Sequence, residues 1–350
     1  MRRGLMAWDE QELPRAALET RVALLREAVQ AIGCDGFVAY TNIAKGAAVA
    51  WLSGFQPYWN EGLFYVPATG TPLFATALSK RVAEWIGSVM PIGQVQTTPK
   101  PALLIAQHIA QNAGQNKTKR IAILELDDFP AGHAKTFLEN IPGVELVDGT
   151  AAFAKARAHV DTAERGLLAH ADRLAETGLA AIDAKAANAQ QALAPCDEHA
   201  RLGGAEECFA TVAPDLQTSA RFQRTDTAGA LGQTFAVRSS LAYKATWVRR
   251  TRSFTRDANL VPRFAAADAL LASFQPPTEG SLAKAIAGHF TGPDLRVESW
   301  LAEQPAGSSP LSGVAASAGS EENWQRQAPF VLNIELSLNG ARWLGARLVG

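Results

Sequence analysis

Arg238-Ser239-Ser240-Leu241-Ala242-Tyr243-Lys244-Ala245-Thr246-Trp247-Val248-Arg249-Arg250-Thr251-Arg252-Ser253-Phe254 is the stretch on which the reading of this chain turns. Its apolar and β-branched content predicts strands over 233–238 and 242–250. Side chains alternate along a strand, so Arg249 and Arg250 point to opposite faces. Arginine stays protonated and cannot ligate a metal. Arg238, Arg249 and Arg252, with Arg221 and Arg224 upstream, are candidates to line one cleft. Guanidinium forks there would grip a carboxylate or phosphate. The competing reading pairs Arg238 or Arg249 with Glu335 as a structural ion pair of small net worth. The sequence leaves both open.

Working outward, the amino-terminal half alternates helices with apolar strands. Residues 15–33 read as an amphipathic helix stopped by Gly33-Cys34-Asp35-Gly36. Strands are predicted at 37–40, 62–66, 72–75, 120–124 and 144–147, and helices at 101–113 and 131–140. That alternation predicts a first α/β domain. Residues 161–192 read as one long alanine-rich helix, with Asp161 as N-cap and Glu164 as its capping-box partner. Pro195 ends it, and a second helix is predicted over 197–210. Strands at 296–301 and 329–338 and helices at 262–273 and 281–289 complete the pattern.

The opening stretch resembles the core motif of the prolidase, aminopeptidase P and creatinase family, the pita-bread hydrolases. There an Asp precedes Gly-Ala, a Tyr, a second Asp and Thr-Arg-Thr-Phe. Here Tyr243, Thr251, Arg252 and Phe254 keep their places, and Arg238 and Arg249 stand at the two aspartate positions. Leu52-Ser53-Gly54-Phe55, Lys119-Arg120-Ile121-Ala122, Pro195-Cys196-Asp197-Glu198, Phe330-Val331-Leu332-Asn333-Ile334-Glu335 and Leu344-Gly345-Ala346-Arg347-Leu348-Val349 resemble further family segments, in order. The resemblance implies an α+β chain of two domains. Residues 1–157 would form a mixed α/β creatinase-type domain. Residues 158–350 would form a pita-bread domain with a curved antiparallel sheet backed by helices. A homodimer is implied as well.

The resemblance also implies two divalent ions held by two Asp, one His and two Glu, which polarise a scissile carbonyl and activate a bridging water. By position these ligands become Arg238, Arg249, a residue near Ala306, Glu335 and Val349, and no His follows His289. Two arginines and one glutamate sum to about +1, so a divalent ion would meet like charge in a partly dry pocket. The expectation is therefore no catalytic metal and no cofactor. Glu335 is the remaining catalytic candidate, and Arg221, Arg238, Arg249, Arg252 and Tyr243 are the ligand-binding candidates. Creatinase, the family's metal-independent member, uses a His as proton shuttle, and Thr218–Arg224 contains none.

The expected function is binding of a small polar or anionic, amino-acid-like or amide ligand, by a pseudoenzyme or a metal-independent enzyme of C–N bond chemistry. Whether the chain is an enzyme stays open. An Xaa-Pro peptidase-like hydrolase and a protein-docking module are the alternatives. Composition bounds these readings. Hydrophobic residues are 47% and charged residues 19% of 350, with a net charge of -1. That excludes bulk-charge binding to nucleic acid or a membrane surface. Three scattered cysteines, no leader-like apolar stretch and no run of ~20 apolar residues point to the cytoplasm. Cys196 with His199 reads as a capped helix start rather than a dyad. His289 reads as a helix-end cap. Gly307–Gly313 reads as a loop, and Trp51, Tyr58 and Trp59 read as core or dimer contact.

Overall fold

The computed structural model describes residues 8–55, 61–111, 119–224, 229–304, 311, 313–318, 324–325 and 329–350. Two compact units divide the chain. The first ends at Arg165; the second comprises Gly166–Gln304 and Leu311–Gly350.

The first unit contains α1 (Arg15–Ala31), β1 (Gly36–Thr41), α2 (Ala47–Ser53), β2 (Gly62–Pro67), β3 (Leu73–Thr76), α3 (Lys80–Val89), β4 (Gln94–Thr97), α4 (Pro101–Gln111), β5 (Arg120–Ile123), α5 (Ala131–Asn140), β6 (Glu145–Asp148) and α6 (Thr150–Arg157). Its mixed sheet runs β4-β3-β2-β1-β5-β6. Phe37, Val38 and Ala39 of β1 are fully buried, as expected of a strand covered on both faces. On one face, Val38, Leu63 and Ile121 meet Ile105 of α4 and Phe137 of α5. On the other, Phe37 stacks on Phe153 of α6 at 5.9 Å. Buried charge also ties this unit together. Arg21 Nε donates to Asp161 at 2.7 Å, Trp51 Nε1 donates to Glu164 at 3.0 Å, and Arg157 pairs with Glu164.

The second unit contains α7 (Thr162–Ala180), α8 (Ala189–Leu202), β7 (Glu207–Ala213), β8 (Thr234–Tyr243), β9 (Thr246–Thr255), α9 (Val261–Ser273), β10 (Glu279–Gly280), α10 (Leu282–His289), β11 (Leu295–Gln304), β12 (Gly313–Ser317), β13 (Trp324–Gln325), β14 (Phe330–Leu338) and β15 (Ala341–Val349). A seven-stranded sheet runs β12-β11-β14-β15-β9-β8-β7, and its pairings are antiparallel. Helices cover one face. Phe264 and Leu271 of α9 and Leu282 and Ile286 of α10 bury Phe330, Leu332, Ile334 and Leu336. Leu179 of α7 and Leu193 and Cys196 of α8 bury Phe235, Val237 and Phe254. The β9–β15 seam carries a buried serine. Ser253 Oγ donates to Leu344 O at 2.9 Å and accepts from Leu344 N at 2.8 Å.

Asp161 does cap α7, accepting from Glu164 N at 2.8 Å. The long helix expected over 161–192 is in fact two helices. Asn188 starts the second by accepting from Gln191 N at 3.0 Å, and Pro195 sits inside α8. The helix expected to reach residue 210 ends at Leu202. Glu207–Ala213 extends instead, because β8 pairs with it from Glu207↔Ala242 to Ala213↔Ala236. Tertiary pairing overrides a local helical reading there.

The β8–β9 hairpin closes through Lys244 and Ala245, at φ 46° and 60°. This is the left-handed two-residue turn that suits strand twist, made here without glycine. Glu206 braces it, its Oε1 accepting from Lys244 N at 2.7 Å. Burial pushes the Glu206 carboxyl up to about 7.

Candidate functional site

The open face of the second sheet collects the polar residues of its central strands. β8 and β9 pair Arg238↔Thr251 and Ser240↔Arg249, so alternation puts both arginines on one side. β15 continues the row through Ala346↔Thr251, and β14 through Asn333↔Ala346. Glu303 of β11 lies opposite Val331, on the side that Asn333 shares.

These residues bond to one another. Arg249 Nη1 donates to Glu303 Oε1 at 2.6 Å and also to Oε2. Arg249 Nε donates to Ser240 Oγ at 3.1 Å. Asn333 Nδ2 donates to Glu303 Oε2 at 2.7 Å. Arg238 Nε donates to Thr251 Oγ1 at 3.3 Å, and its guanidinium lies 3.9 Å from the centre of the Phe222 ring. Among the described residues no carboxylate lies within ion-pair distance of Arg238. Burial and the neighbouring Arg249 push its guanidinium down to about 10, with Glu303 opposing weakly. Asn333 Oδ1 is buried with no donor among the described residues.

The structure brings together Arg238 and Arg249 of the expected residues. It separates the others. Glu335 faces the same side, but it pairs with Arg342 Nε at 2.8 Å and accepts from Ser299 at 3.3 Å. It sits in a groove of about 630 Å³ bordered by Leu216, Thr234, Arg296 and Arg342. The expected pairing of Arg238 or Arg249 with Glu335 is thus corrected: Glu303 is the partner of Arg249. Arg252 faces the helices, 3.5 Å from Asp268 of α9, because it is odd-numbered positions of β9 that reach the open face. Tyr243 also faces the helices, its ring 4.2 Å from His170 of α7. Arg221 is exposed, and its own N–H bonds to Ser219 Oγ at 3.0 Å. Val349 pairs with Phe330 and is buried among the helix-facing apolar residues, so it is no open-face position. Ala306, most of Gly307–Gly313, Tyr58 and Trp59 lie outside the described residues. Trp51 is core, as its bond to Glu164 requires.

Residues 21–159 match the family model of the creatinase/prolidase N-terminal domain. By fold, the chain is similar to the creatinase/prolidase proteins. The X-Pro aminopeptidase of Thermotoga maritima is similar at TM-score 0.69 and 13% identity, over 93% of this chain and 96% of that one. A prolidase from Thermococcus sibiricus is similar at TM-score 0.65 and 13% identity, over 95% of each chain. The N-terminal domain of a FACT complex subunit from Cicer arietinum is similar at TM-score 0.58 and 13% identity, over 95% of this chain and 93% of that one. No curated protein sequence matches. Among the described residues no helix is long and apolar enough to cross a membrane.

The creatinase/prolidase resemblance implied a pair of divalent ions, and the open-face residues do not suit them. Hard divalent ions want several anionic oxygens. Arg238, Arg249 and Asn333 offer none, and both Glu303 oxygens are committed to Arg249. Glu303 and Asn333 escaped the sequence reading. Their signal was strand alternation: Leu301 with Glu303, and Asn333 with Glu335, are the residues left when the buried apolar set is removed.

Proposed function

We propose that this creatinase/prolidase-fold protein works without metal and binds a small monoanion on the open face of its second sheet, through Arg238 and Arg249. One observation carries the reading: of two guanidinium groups on one face, Arg249 has a carboxylate partner and Arg238 has none among the described residues. Arg249 is neutralised by Glu303 and held in place by Ser240. Arg238 is half-buried, bonded to a neutral hydroxyl, and short of negative charge. A carboxylate laid against Arg238 would supply that charge and accept its free N–H groups as a fork. Buried charge of this kind favours an anionic guest over water.

The peptidase reading needs carboxylates at positions that hold arginines, so the donor set favours binding over metal-assisted hydrolysis. A homodimer belongs to the same proposal, and light scattering on the purified chain tests it separately. The experiment for the site is calorimetric titration with carboxylates, alongside metal analysis. The reading expects saturable carboxylate binding that Arg238→Gln removes, with substoichiometric metal. Two tightly held divalent ions per chain would sink it, and so would carboxylate binding unchanged in Arg238→Gln.

A further inference from the structure

We infer that the second unit carries another ligand site, on its helix-backed face: a slot between α7 and α9 that takes a free α-amino acid in its zwitterionic form. The slot uses neither Arg238 nor Arg249. It exists because the apolar packing stops short of it. Helices α7 and α8 bury one half of the sheet, and α9 and α10 bury the other. Between α7 and α9, over the β9–β15 seam, lies a cavity of about 270 Å³. β15 sets Ala346 against Thr251 on the open face, so Arg347 turns to the helices, as Arg250 and Arg252 do. All three arginines line the cavity, with Glu176 of α7 and Asp268 of α9.

Charge selects the guest. Arg250 faces two acids: it donates to Asp172 and lies 3.4 Å from Glu176. Arg252 faces one, Asp268, at 3.5 Å. Arg347 has no carboxylate within ion-pair distance among the described residues. Its Nε donates to Leu348 O at 3.1 Å, and its Nη1 to Leu271 O at 3.2 Å and to Ala272 O. Its Nη2 has no acceptor among the described residues. Burial and Arg250 lower its pKa, against the pull of Asp172 and Glu176. The α7 side thus holds an excess negative charge, the α9 side an excess positive one, and the whole is neutral. A lone anion or cation would leave unbalanced charge in a half-buried site. A zwitterion leaves none. Its carboxylate accepts from Arg347 Nη2 beside Arg252, and its ammonium turns to Glu176, whose side chain is 59% exposed and so within reach. Leu179 and Leu271 give the slot apolar walls, which makes leucine the probe.

Calorimetry on the full chain tests this, with leucine, 4-methylpentanoate, which lacks the ammonium, and 3-methylbutylamine, which lacks the carboxylate. The titrations use the Arg238→Gln chain, so that the open face contributes nothing. Leucine is expected to bind saturably, and each analogue about tenfold more weakly or worse. Adding Glu176→Gln or Arg252→Gln should each weaken leucine about tenfold. Both side chains are partly exposed, so these variants should keep the melting temperature of their parent, which is checked alongside. Absence of leucine binding in the Arg238→Gln chain would overturn the inference. So would 4-methylpentanoate binding as tightly as leucine, or leucine affinity unmoved in folded Glu176→Gln.

Discussion

The two faces of the β8–β9 hairpin carry the same residue type in opposite electrostatic circumstances. On the helix-backed face, Arg250 donates to both oxygens of Asp172 at 2.7 Å and lies 3.4 Å from Glu176. Burial alone would lower its pKa, but Asp172 and Glu176 more than offset that and raise it. On the open face, Arg238 is pushed down to about 10. Two arginines on neighbouring strands of one hairpin thus differ: Arg250 is matched by carboxylates and Arg238 is not. Helix α7 supplies carboxylates where the fold must be held. The open face withholds one, which is where a ligand can enter. An arginine's role here is set by the count of acids around it, not by its place in a motif.

The sharpest way to break this comparison is to remove the paired arginines. Arg249→Leu strands Glu303, 9% exposed, and should cost about 3–5 kcal/mol in urea unfolding. Arg250→Leu strands Asp172 and should cost a similar amount. The double variant Arg249→Leu with Glu303→Leu should recover most of the loss, because a buried pair is worth little over an apolar one. A loss below about 1 kcal/mol for Arg249→Leu would mean that the open face is as wet as ordinary surface.

Next in size is a pH effect at the turn joining both faces. The folded pKa of Glu206, about 7, lies above its ordinary 4.5. The folded state therefore holds this proton more tightly than the unfolded one. The stability it contributes is full below the ordinary value and is lost as pH rises through 7, by up to about 3 kcal/mol. Glu206→Gln should flatten that slope in unfolding curves taken between the two values. An unchanged slope would assign the pH dependence to another group.

Much of the fold was legible because its signals are local. Asp161 and Glu164 announce a helix start, and Phe37-Val38-Ala39 announces a covered strand. The β8–β9 stretch gave away both strands, and alternation alone separated Arg249 from Arg250. The site was only half legible. Arg238 and Arg249 were expected in one cleft together with Arg221, Arg224 and Arg252, and the hairpin register puts only the first two on one face of β8 and β9. Which carboxylate met them could not be read, since Glu303 and Glu335 sit on neighbouring strands and register decides between them. A shift of two residues along β14 exchanges Asn333 for Glu335. Likewise Val349 fell on the covered face because β15 pairs Ala346, not its neighbours, with Thr251. The split of the long helix at Asn188 turned on one cap, and β7 on a partner strand distant in sequence.

The smallest effect is the most discriminating. Arg238→Met removes a desolvated charge, along with its stack on Phe222, and keeps an unbranched apolar stem. With few anions in solution, that variant should be as stable as the natural chain or more stable, by about 1 kcal/mol. The sign agrees with the titration. Below about 10 the folded chain bears the cost of the charge, and the unfolded chain, with its higher arginine pKa, does not. Stability of the natural chain should therefore rise as pH climbs through that value, and Arg238→Met should lose the rise. Adding acetate should invert the order, raising the melting temperature of the natural chain and leaving the variant unmoved, since only the former gains binding energy in the native state. An Arg238→Met chain less stable by more than about 1 kcal/mol without any carboxylate would make this arginine a prop like Arg250, and the difference between the two faces would vanish.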